Sequence, residues 1–179
     1  MSKKQENSVR KTANYSVSDL TPRELLEAIL NNYKSAGFSV KQFCIDKNTN
    51  SSTITTQFSK RYGFCPSTIL ENLRLEDYLF MLWRPGIKIE EVGAQSGFGS
   101  SRRTRAVLNK HLNKSPNSCH KALLEDKGNT KVMELYVRLI WNGHRPDDLL
   151  GDVWEHFDRD IKDLLSMFSP NILLKKQPK

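Results

Sequence analysis

The sequence predicts an all-α chain: two copies of a helix-turn-helix unit, a longer helix connecting them, and a helical hairpin at the carboxy terminus. Three observations carry that expectation. Apolar residues recur at i, i+4 and i+8 along successive segments, the period of one helix face. Glycine, proline and asparagine cut the chain between those segments. One pattern of small, turn and apolar residues also occurs twice, about fifty residues apart.

Residues 1–20 are polar, basic and without pattern, and read as a mobile arm. Thr21-Pro22-Arg23-Glu24 is a helix start, with Thr at the cap, Pro at the first helical position and Glu at the third. The helix continues through Leu25, Leu26, Ile29, Leu30 and Tyr33 and stops near Gly37. Ser39 to Asp46 form a short helix, followed by the polar break Lys47-Asn48-Thr49-Asn50. Ser51 to Tyr62 form the next, with Ile54, Phe58 and Tyr62 on one face and Gly63-Phe64-Cys65-Pro66 at its end. A longer helix from Ser67 to about Trp83 carries Ile69, Leu70, Leu73, Leu75, Leu79 and Leu82, and Arg84-Pro85-Gly86 breaks it.

The pattern then returns. Ile89, Val92 and Gly93 stand 49 residues after Val40, Phe43 and Cys44, and Gly97 stands 49 after Asn48. Gly93 and Cys44 are small where one helix must cross close to the next. Gly97 and Asn48 can both take the left-handed conformation that the turn requires. After one inserted residue the offset becomes 50, so Thr104, Leu108 and Leu112 repeat Ile54, Phe58 and Tyr62, while Asn113 and Pro116 repeat Gly63 and Pro66. Agreement at small, turn and apolar positions together identifies a duplicated helix-turn-helix.

Over roughly residues 22–122 the chain resembles the DNA-binding domain of the AraC/XylS transcription regulators. The resemblance is most specific from Ile89 to Pro116, with Gly97-Phe98 and Ser115-Pro116 at the family's spacing. Arg74-Leu75-Glu76 matches the start of the family's connecting-helix motif, and Gly63-Phe64-Cys65-Pro66 resembles its Gly-x-x-Pro. It implies a seven-helix, double helix-turn-helix domain over 21–125 whose two recognition helices enter successive major-groove segments on one face of DNA. It also implies a cytoplasmic, nucleoid-associated bacterial regulator, activation being commoner than repression in that family. Three residues depart from the family pattern: Thr104 where a buried aromatic is usual, Tyr78 where alanine is usual, and Lys47 in place of an apolar residue.

With Ile54, Phe58 and Tyr62 inward, helix 51–62 offers Ser52, Thr53, Thr56, Ser59 and Lys60 to DNA. Hydroxyls discriminate little between bases, although a threonine methyl can meet a thymine methyl. Helix 100–112 offers Arg102, Arg103, Ala106, Asn109 and Lys110, with Arg105 toward a flank suited to phosphate. Arginine paired with guanine is the commonest specific contact, so the second unit is expected to supply most of the base specificity.

Beyond residue 125 the expectation is a helical extension over 126–179. Asn129-Thr130 start a helix with Val132, Leu135, Tyr136, Leu139 and Ile140 on one side, ended by Asn142-Gly143. From Pro146 onward Leu150, Phe157 and Leu164 recur every seven residues, as do Trp154, Ile161 and Phe168. This heptad seam reads either as a surface for dimerisation through 146–168, RNA polymerase or another regulator, or as a hairpin folded back on its own domain.

Charge supports the division. Residues 21–125 hold 15 Lys/Arg against 9 Asp/Glu, whereas residues 126–179 hold 9 of each. The basic middle suits a polyanion such as double-stranded DNA, and the acid-rich end should avoid one. No stretch is apolar enough to span a membrane, and the amino terminus does not read as a secretory signal, which points to the cytoplasm. Cys44, Cys65 and Cys119 contain no paired motif and read as reduced, mostly packed thiols rather than a metal set, even with His111 and His120 nearby. No nucleotide-binding, hydrolase or metalloprotease motif is present, so neither catalysis nor a cofactor is expected. A second reading is an accessory protein-interaction module that modulates another regulator and binds little DNA itself.

Overall fold

The structure is a computed structural model that describes residues 20–126, 130–143 and 146. Among the described residues it is all-helical, with eight α-helices and no strand. They are α1 (Pro22–Asn32), α2 (Val40–Asp46), α3 (Ser51–Tyr62), α4 (Pro66–Leu82), α5 (Ile89–Gln95), α6 (Ser101–Leu112), α7 (Pro116–Glu125) and α8 (Lys131–Ile140). None is long and apolar enough to cross a membrane. The expected arm at 1–20 lies outside the described residues except for Leu20. The seam residues Leu150, Trp154, Phe157, Ile161, Leu164 and Phe168 lie outside them entirely.

Local chemistry sets the helix ends. At α1 the Thr21 hydroxyl accepts from the Glu24 amide at 3.2 Å, and the Glu24 carboxylate accepts from the Thr21 amide at 2.8 Å. That reciprocal cap satisfies two amides that α1 itself cannot. Ser39, Asn50, Ser100 and Ser115 cap α2, α3, α6 and α7 with side-chain oxygens. The connecting helix starts one residue earlier than expected, at Pro66, whose fixed φ suits the first turn.

The duplication is visible in the boundaries themselves. Both ends of α5 lie 49 residues after those of α2, and both ends of α6 lie 50 after those of α3. Asn48 (φ 50°) and Gly97 (φ 83°) are both left-handed, as are Gly63 (φ 75°) and Asn113 (φ 50°). The extra residue falls in Phe98-Gly99, where Phe98 is buried and meets Tyr78 edge-on at 6.5 Å. The repeat also reaches further than the sequence pattern suggested. Leu25 and Ile29 of α1 match Leu75 and Leu79 of α4 at an offset of 50, and all four are fully buried. Ile69 and Leu73 of α4 match Cys119 and Leu123 of α7 in the same way. One helix thus closes the first unit with its amino-terminal half and opens the second with its carboxy-terminal half.

That shared role explains why α4 is buried on almost every side, including Asn72, Arg74 and Glu76. Helix α8 packs against α4, α6 and α7. Its buried face is Met133, Tyr136, Val137 and Ile140, followed by Trp141. Of the expected face, Tyr136 and Ile140 are buried and Val132 partly so, but Leu135 and Leu139 are 52% and 46% exposed. The expected cap also differs, because the Thr130 side chain makes no cap bond and the Asp126 carboxylate accepts from the Val132 amide at 2.9 Å instead. The Trp141 indole donates to Glu76 at 3.0 Å and meets the Phe64 ring edge-on.

Candidate nucleic-acid interface

The outward faces of α3 and α6 carry the residues that sequence alone singled out, five on α3 and six on α6. Ser52, Thr53, Thr56, Ser59 and Lys60 correspond to Arg102, Arg103, Ala106, Asn109 and Lys110, whereas Arg105 corresponds to Thr55, which is half-buried and was not singled out. On α6 all six are exposed, while Thr104, Val107, Leu108 and Leu112 are buried. On α3, Ser52, Thr53, Thr56 and Lys60 are exposed, but Ser59 is only half-exposed, which reduces its reach. The Thr56 hydroxyl donates back to the Ser52 carbonyl at 3.0 Å, so its hydrogen is committed within the helix.

At 100° per residue, positions 102, 106 and 109 form the centre of the α6 face. Positions 103 and 110 fall on the side toward α4, and 105 falls on the other. The side chains follow that geometry. Lys110 pairs with Glu71 of α4 at 2.6 Å, which ties it to the protein and makes it a poorer base-reading candidate than expected. Arg103 lines a cleft of about 260 Å³ between the two units, with Arg74, Leu70 and Phe98. Arg105 lines a second cleft of about 430 Å³ with Tyr78, Glu90 and Asn117. Arg102, Arg103 and Arg105 form no ion pair among the described residues. Arg102, rather than the Arg102–Arg103 pair, is therefore the central arginine.

Two contacts that the sequence reading missed hold these helices in relation to one another. Arg74 donates from Nε to the Tyr33 carbonyl at 2.7 Å, and from one terminal nitrogen to the carbonyls of Ser35 (2.7 Å) and Phe38 (3.0 Å). Its guanidinium thus gathers the carbonyls of the α1–α2 connection. Burial, and then the charge of Arg103, lower its pKa. Gly97 packs on the same place: a Cβ there would lie 3.0 Å from Arg74 Nε and closer still to the Tyr33 carbonyl oxygen. The turn of the second unit therefore rests on the first through a position with no room for a side chain.

The other contact is Glu71, whose Oε1 also accepts from His111 Nε2 at 2.9 Å. These bonds, the His111 one foremost and then those from Lys110, hold the Glu71 carboxyl down at about 2 against the opposing effect of burial. Val107 is buried where its counterpart Gln57 is exposed, so α6 leans on the rest of the domain along an edge that α3 leaves open. The comparison at an offset of 50 was the available signal: an apolar residue opposite a polar one marks a surface covered in one copy only.

Within the second unit, Thr104 is buried and its hydroxyl donates to the Ser100 carbonyl at 3.0 Å. A Cβ on Gly93 would lie 2.8 Å from that hydroxyl oxygen, so the close crossing expected at Gly93 is present. Lys47 follows the end of α2, exposed, with its ammonium 5.8 Å from the Phe43 ring centre, so the expected apolar site is met by a cation over an aromatic. Cys44 and Cys119 are buried in the core, whereas Cys65 is exposed beside Thr68. Compared with family models, curated proteins and solved structures, the chain matches none of them.

Proposed function

We propose that the chain is a sequence-specific double-stranded DNA-binding regulator of the AraC/XylS kind, an activator at the bacterial nucleoid, which lays α3 and α6 into successive major-groove segments. One observation carries the reading. Two helices in matching positions turn four corresponding residues fully outward, Ser52, Thr53, Thr56 and Lys60 against Arg102, Arg103, Ala106 and Lys110, and Arg74, Gly97 and Glu71 fix them within one structure. A rigid pair of that kind suits two groove segments about one turn apart, roughly 10 bp. Unit two supplies the discriminating group, Arg102 at the centre of α6, able to reach guanine through two hydrogen bonds worth ~1–3 kcal/mol. Arg103 and Arg105 on the flanks suit phosphates, which position the protein without reading sequence.

A binding titration of full-length protein on a selected duplex at one fixed salt concentration tests this. Arg102→Ala with Arg103→Ala should weaken specific binding at least tenfold more than Thr53→Ala with Thr56→Ala. Equal losses would contradict the assignment of specificity to α6.

The exposed Leu135 and Leu139 favour a second reading, in which α8 meets a protein partner and DNA binding is weak. Gel shifts on total genomic fragments at low salt separate the two, since phosphate-driven binding is strongest there. Absence of any shift supports the partner module.

A further inference from the structure

The two recognition surfaces differ in charge but agree at their centre. Thr56 and Ala106 occupy the same position, 50 residues apart, each exposed on its outward face. With Oγ1 turned back to the Ser52 carbonyl at 3.0 Å, Thr56 presents chiefly its methyl group. Ala106 has only a methyl to present. The neighbouring central positions are dissimilar, Ser52 against Arg102 and Ser59 against Asn109. The shared feature is thus one methyl at the middle of each face, set among polar side chains.

Resting on the DNA-binding reading above, we propose that each unit recognises a thymine C5-methyl, through Thr56 in one major-groove segment and Ala106 in the other. Thymine is the one base that shows a methyl in that groove. A methyl placed against it removes apolar surface from water on both sides. The same methyl placed against cytosine would leave the exocyclic amino group without an acceptor, which disfavours that base. The bound site therefore contains a thymine at the equivalent place in both segments, with guanine recognition confined to the segment under Arg102.

The test uses the full chain and a duplex selected from random DNA, with each thymine replaced in turn by deoxyuridine. That replacement removes the methyl and keeps the base pair. One thymine per segment, about 10 bp apart, should each cost about fourfold in affinity, and the two together about fifteenfold. Thr56→Ser keeps the hydroxyl and loses the methyl, so it should abolish the uridine effect in one segment and leave the other intact. Specific binding that is indifferent to uridine overturns this inference and leaves the DNA reading standing. So does a uridine effect that Thr56→Ser does not touch. Failure to select any sequence overturns the DNA reading and this inference with it.

Discussion

Replacing Gly97 by alanine should destabilise the protein by about 2–5 kcal/mol, from two separable causes. Gly97 has φ 83°, a left-handed conformation that costs an L-residue ~1–2 kcal/mol. The new Cβ would also press on the Tyr33 carbonyl and on Arg74 Nε, which lies 3.0 Å away. Overpacking of that kind costs ~1–3 kcal/mol. Gly63 provides the control: its φ is 75°, yet a Cβ there meets nothing within 4 Å. Gly63→Ala should therefore cost only ~1–2 kcal/mol. Gly97→Asn separates the causes further, because Asn48 holds the matching turn at φ 50° and asparagine tolerates that conformation while still meeting Tyr33. Urea unfolding followed by tryptophan fluorescence reads all three. The Gly97→Ala midpoint should fall by about 1–2.5 M at an m value of ~2 kcal/mol/M. Equal midpoints for Gly97→Ala and Gly63→Ala would refute the claim that the second turn is seated on the first unit.

The remaining predictions concern the edges of the fold. Glu71 has its pKa depressed from 4.5 to about 2, so its stabilisation is fully present above about pH 4.5 and is lost as pH falls toward 2. Glu71→Gln should therefore cost at most about 3 kcal/mol at pH 6, with the difference from wild type closing in acid; a pH-independent difference contradicts the assignment. Trp141→Phe removes one donor from the buried Glu76 carboxylate and should cost ~1.5–3 kcal/mol in thermal unfolding. An unchanged Tm would mean that α8 does not hold α4 as described. Titration with a thiol reagent near pH 8 should find Cys65 fast and the other two cysteines slow until urea is added. Burial shields both and pushes their thiols up, Cys119 to about 11. Three fast thiols in the native protein would contradict the burial.

The parts of the fold that were legible in the sequence are those governed by short-range chemistry. The ends of α3, the cap of α1 and the paired left-handed positions at 48 and 97 follow from glycine, asparagine, proline and serine at fixed places. The outward residues of α6 followed from its one apolar face. Long-range pairing was not legible. Nothing local indicates that Lys110 reaches Glu71, 39 positions earlier, or that Arg74 binds three carbonyls of the α1–α2 connection. Those bonds convert two exposed-looking charges on α4 into fixed points of the domain. Helix α8 failed for a different reason. Lys131, Glu134 and Arg138 share one face of it, but the apolar arc opposite is wider than one contact covers, so periodicity alone could not choose between Met133-Val137 and Leu135-Leu139 as its buried part. Packing against α4, α6 and α7, with Trp141 reaching Glu76, decides the rotation.

Selection of bound duplexes from a random DNA library by the full-length chain tests the central claim most directly. The expected result is one asymmetric motif spanning two major-groove segments with centres about 10 bp apart. Guanine preference should be confined to one segment, and binding should fall steeply as salt rises. A short palindromic motif, or no enrichment even at low salt, would contradict the assignment of α3 and α6 as a paired reading head.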